Sequence, residues 1–136
     1  MTFAKRLFLF AGVSGLILIL PMYFMEDRIG RDTPPAVTHP EFYYGFLGVG
    51  AAWQVAFLVI ARDPARFRPL MIPAVLEKAT FGFAAIALFL AGRAPGTLLG
   101  FALFDLTLGV LFVVAYVRTI PVQATGAGAG LSATPG

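Results

Sequence analysis

Residues 69–90, PLMIPAVLEKATFGFAAIALFL, form an apolar run with Glu77 and Lys78 side by side near its middle. About 20 predominantly apolar residues are enough to cross hydrocarbon as a helix. An ionisable residue at bilayer depth costs roughly 2.5–3.5 kcal/mol on insertion scales. The doublet is tolerable only where other segments surround it with compensating groups. The chain must therefore supply further spans, and these must bring polar atoms to a similar depth.

It has the material to do so. Only 12% of residues are charged and 59% are hydrophobic, against about 25% charged in an ordinary soluble domain. Apolar stretches at 7–25, 41–61 and 97–117 join the one at 70–90. The first exceeds the ~7–15-residue core of a secretory signal and runs into Pro21-Met22-Tyr23 with no A-x-A-like cleavage site, so it reads as a retained helix. The expected fold is all-α, an antiparallel four-helix transmembrane bundle over 1–118. Residues 119–136, Gly- and Ala-rich and uncharged, read as a flexible cytoplasmic tail.

The segments between spans carry turn chemistry. Residues 26–40 hold Glu26, Asp27, Arg28, Arg31 and Asp32, then Pro34 and Pro35, which forbid a continuous helix. Thr38 or His39 is placed to cap the second span, with Pro40 at its first position and Glu41 at its positive end. Tyr43 and Tyr44 suit a membrane interface. Gly45, Gly48, Ala52 and Ala56 make a small-residue stripe on that span, and Gly12, Ser14 and Gly15 another on the first, both suited to close helix approach. Arg62–Pro69 and Gly92–Gly96 are short turns.

Orientation follows from the cations near the span ends. Lys5, Arg6, Arg62, Arg66, Arg68 and Arg118 gather at one end, Arg28, Arg31 and Arg93 at the other. The positive-inside rule then puts both termini in the cytoplasm, in a multi-pass protein of the inner (plasma) membrane. The net charge of +3 comes largely from these span ends and gives no case for nucleic acid.

Depth singles out a polar layer. At about 1.5 Å per residue, Glu77 and Gln54 lie roughly 5 Å to the cytoplasmic side of their span midpoints, Ser14 slightly to that side, and Asp105 about 3 Å to the other. A carboxylate in hydrocarbon must be paired, hydrogen-bonded or protonated. Gln54 can donate to Glu77, and Lys78 can reach Glu77 or Asp105. The candidate ligand-binding residues are therefore Glu77, Lys78, Gln54 and Asp105, with Trp53 as a wall. Fourteen Phe residues add material for an apolar pocket. The plainer alternative is a helix clasp, with Lys78 extended towards the interface.

A second candidate group, His39 and Glu41 in the outer loop, has the residue types for acid–base work. No metal-site spacing is present. With no cysteine and one histidine, thiolate metal sites, thiol–disulfide chemistry and bis-histidine haem ligation within one chain are excluded. No cofactor is assigned, and whether the protein is an enzyme stays open.

The stretch HPEFYYGFLGVGAAWQVAFLVIARDPARFRPLMIPAVLEK resembles uncharacterised small four-helix bacterial integral membrane proteins, loosely DoxX-like in layout. The resemblance implies the four-helix membrane fold and carries over no site. The sterol-isomerase and sigma-2-receptor type of bundle is similar in layout, with buried carboxylates among aromatics. Small multidrug exporters are similar in length but keep their essential Glu in the first span, which has none here. The leading expectation is binding of a small lipophilic ligand at the mid-membrane layer, with proton-coupled chemistry at Glu77 as an extension. A structural or accessory subunit docking a larger membrane protein complex is one alternative. An oligomeric transporter or channel is the other.

Overall fold

A computed structural model describes residues 2–120. Helix α1 (Phe3–Ile19) continues as a 3-10 turn, Leu20–Phe24. Then come α2 (Glu26–Asp32), α3 (Pro40–Arg62), α4 (Met71–Leu90) and α5 (Gly96–Arg118). Four segments, Phe3–Phe24, Pro40–Arg62, Arg68–Leu90 and Gly96–Arg118, are long and apolar enough to cross a membrane. The protein is an all-α helical bundle. The tail expected beyond residue 120 lies outside the described residues.

The first span starts earlier than expected. The Thr2 hydroxyl accepts from the Lys5 backbone N–H at 3.3 Å, so Lys5 and Arg6 lie inside the helix and not in a separate entry segment. The regular helix ends by Ile19 because Pro21 has no N–H to donate, and the chain tightens into the 3-10 turn. The following connection is also more ordered than its composition suggests. Glu26 and Asp27 at its start and Arg31 at its end complement the dipole of α2, and Arg28 pairs with Asp32 one turn on. Tyr44 Oη donates to Glu26 at 2.7 Å and Tyr43 Oη to the Met22 carbonyl, which ties this connection onto the start of α3. At the other turn, Gly92 takes φ +68°, and the N–H groups of Gly92 and Arg93 return to the carbonyls of Phe89 and Leu88. This is a Schellman close of α4, which favours glycine at that position.

Two helix pairs make up the bundle. The most extensive contacts are α1 on α3 and α4 on α5; α1 also touches α5, whereas α3 and α4 barely meet. Within the pairs, contacts run in opposite senses along the chain: Gly12 meets Leu58 and Ile19 meets Gly50, while Lys78 meets Gly109 and Gly82 meets Ala102. Glycine decides the α1–α3 approach. A Cβ on Gly12 would sit 2.8 Å from the Gln54 carbonyl oxygen, and one on Gly15 would overlap the Gln54 side chain. The stripe Gly45, Gly48, Ala52, Ala56 does not do this work. Gly45, Gly48 and Ala52 are exposed, and a Cβ on Gly45 would meet nothing within 4 Å. The partner surface for α3 is α1, which lies around the helix from that stripe.

The core occupies one half of the bundle's length. Phe8, Phe57 and Phe112 are fully buried and form a ring cluster, with Phe8 stacked on Phe112 at 4.3 Å and Phe57 edge-on to Phe112 at 5.1 Å. Phe8 lies early in α1, Phe57 late in α3 and Phe112 late in α5, so all three sit at the basic end. Ala4, Ala11, Ala61, Ala74 and Ala115 let the helices close around them. At the same end Arg68 donates to the Tyr116 carbonyl at 3.1 Å and lies over its ring at 3.7 Å.

Candidate site: a cavity with an ionic floor

Towards the loop end the two helix pairs line a partly open cavity of about 550 Å³. Its floor lies where the phenylalanine core stops. Lys78 Nζ donates to Asp105 Oδ1 at 3.1 Å and stands 3.3 Å from Glu77 Oε2. The Lys78 side chain is only 6% exposed, so the amine does not extend to the interface; beneath it lies the Phe57 ring, 5.4 Å away. On the span Arg68–Leu90, Glu77 is about 3 Å from the midpoint at 1.5 Å per residue. The charged groups therefore sit at the depth where hydrocarbon would otherwise surround them.

Local geometry explains how adjacent residues serve one site. Residues 77 and 78 point about 100° apart. Lys78 faces α5 directly, with its Cβ side against Gly109, and its flexible stem brings the ammonium back towards Glu77. Glu77 Oε2 is buried and has no hydrogen-bond partner among the described residues. Buried acceptors are rarely left so, because the lost hydration is uncompensated.

Gln54 completes the floor but in a different role from the one expected. Only 3% exposed, it donates to the Gly50 carbonyl of its own helix at 3.2 Å and not to Glu77. Its side chain is seated in the space left by Gly15 on α1, which holds it on the α1 side of the cavity. Ser14 likewise satisfies itself on the Phe10 carbonyl at 2.7 Å. Trp53 does not line the cavity. About 100° around α3 from Gln54, it packs against the closed core with its ring centroid 6.1 Å from that of Phe57. His39 and Glu41 pair with each other at 3.1 Å, both well exposed in the loop region, and do not line the cavity. Among the described residues no group of three or more His, Cys, Asp or Glu could hold a metal ion.

The walls are residues that the polar-layer reading passed over: Leu18, Phe46, Phe81, Phe101 and Phe104, with Ile29 of α2 and Thr33 just after it. Their signal was present as helical spacing. Phe46, Gly50 and Gln54 recur every four residues; Phe81 is four from Glu77; Phe101, Asp105 and Leu108 follow the same face of α5. Each polar floor residue thus has apolar neighbours one turn nearer the loop end. Phe46 and Phe81 approach to 6.1 Å across the seam where α3 and α4 barely meet. The arrangement suits an elongated molecule with an apolar body and a polar end, since specificity in such cavities comes from a few placed polar groups on an apolar lining. No protein-family model, curated protein or solved structure matches this chain.

Proposed function

We propose that this multi-pass protein of the plasma (inner) membrane binds a small lipophilic molecule between its two helix pairs, with the molecule's polar end against Glu77, Lys78 and Asp105. The observation that carries this reading is the cavity of about 550 Å³ whose aromatic walls end on a largely buried ionic floor. That size lies within the roughly 300–1,000 Å³ usual for small-molecule sites. Access is lateral, from the lipid, through the weakly packed α3–α4 seam bounded by Phe46 and Phe81. The basic end faces the cytoplasm, in keeping with its excess of Lys and Arg.

A second reading has its own support. The Lys78–Asp105 bond joins α4 to α5, helices that already pack closely, and so serves as a clasp that fixes their register. Native mass spectrometry after mild-detergent extraction separates the two. Leu98 also lines the cavity, and the binding reading predicts a retained lipophilic species whose occupancy falls in Leu98→Trp, which intrudes into that space, while helicity is unchanged. Absence of any retained species, or the same species at the same occupancy in Leu98→Trp, would leave only the clasp.

A further inference from the structure

The floor is unbalanced in both charge and hydrogen bonding. The charged side chains lining the cavity are Glu77, Asp105 and Lys78, two carboxylates against one ammonium. Lys78 hydrogen-bonds Asp105 and stands 3.3 Å from Glu77 Oε2 as an ion pair outside hydrogen-bonding geometry, so one ammonium is shared by two carboxylates and Glu77 Oε2 is a buried acceptor with no hydrogen bond. Gln54 offers no remedy, since its amide N–H is turned back to Gly50. The site therefore has one cation for two carboxylates and room for one more well-aligned donor at Glu77. A ligand carrying another carboxylate would worsen both deficits. A ligand carrying an ammonium would supply both at once, and the aromatic side chains of Phe101 and Phe104 line the walls beside it.

Resting on the lipophilic-ligand reading above, we infer that the molecule bound is a lipophilic amine, held through its ammonium by Glu77 with its apolar body along the Phe46–Phe81 and Phe101–Phe104 walls. Lys78 then acts as an internal counter-ion for Asp105, and Glu77 is the residue that selects the ligand's head group.

The test uses three probes with one body: naphthylmethylamine, naphthylmethanol and naphthoate. Each is measured by equilibrium dialysis against the full chain in phosphatidylcholine nanodiscs, with protein-free nanodiscs subtracted. A charge-assisted hydrogen bond corresponds to about 10- to 100-fold in affinity. The amine is expected to bind at least about tenfold more tightly than naphthoate. In Glu77→Gln that preference should collapse while naphthylmethanol binding stays within about twofold, well short of the tenfold that loss of a charged partner would bring. Naphthoate binding as well as the amine, or an amine preference that survives Glu77→Gln, overturns the inference and leaves the cavity reading standing. Binding of none of the three by the native chain removes the cavity reading itself. The comparison among probes on the native chain decides the matter even where the variant folds poorly.

Discussion

Replacing Lys78 by methionine keeps the stem that packs against Gly109 and removes only the charge. The Coulomb attraction at 3.1 Å to Asp105 and at 3.3 Å to Glu77 is about 5 kcal/mol each with an effective dielectric constant near 20. Most of this is cancelled by the cost of taking three ions out of water, so neither figure is a net stability. Removing one partner of a buried pair is another matter, because the surviving charges stay buried without compensation. That loss is about 3–5 kcal/mol in soluble proteins; here about 2–4 kcal/mol is expected, since an unfolded chain in detergent still finds polar partners. The assay is reversible unfolding in mixed micelles, followed by helix content and by emission of Trp53, which packs on Phe57 beneath the pair. The triple variant Glu77→Gln/Lys78→Met/Asp105→Asn removes the unpaired charges together and should recover most of the loss. If Lys78→Met costs under about 1 kcal/mol, or the triple variant is no better than the single, the ammonium is not holding two half-buried carboxylates and the reasoning fails.

Other substitutions probe other parts of the argument. Gly12→Ala drives a methyl to 2.8 Å from the Gln54 carbonyl and should cost about 1–3 kcal/mol in the same unfolding assay, whereas Gly45→Ala meets nothing and should be neutral or stabilising by up to about 1 kcal/mol. Phe8→Ala opens a void in the packed half and should cost about 2–3 kcal/mol, the cavity part of the loss seen in soluble cores. Phe46→Ala, on an exposed residue at the seam, should leave the melting temperature unchanged while speeding ligand exchange measured by dilution. Tyr44→Phe loses an exposed bond to Glu26 and should leave global unfolding unchanged, but should raise protease cleavage between residues 26 and 39 by loosening that connection.

Much of the architecture was legible without coordinates, for a physical reason. Crossing hydrocarbon requires every backbone polar group to be satisfied within its own segment, so length and hydropathy alone dictate helices at residues near 41–61, 70–90 and 97–117. Pro40, Gly92 and the prolines at 34 and 35 mark ends through local sterics that do not depend on the rest of the fold. That Glu77, Lys78 and Asp105 occupy similar depths also follows from counting residues at a fixed rise. Which of them touch does not follow. Direction around a helix axis is set by its neighbours, and only the packed bundle turns Lys78 onto Asp105, folds Gln54 back on Gly50 and leaves Trp53 against the core. The small-residue stripes carry the same lesson: Gly12 and Gly15 are used, Gly45 and Gly48 are exposed, and hydropathy distinguishes neither. The cavity itself belongs wholly to tertiary structure. It exists because three phenylalanines hold the helix pairs together at the basic end while nothing of their size draws them together beyond Lys78, and no single segment records that difference.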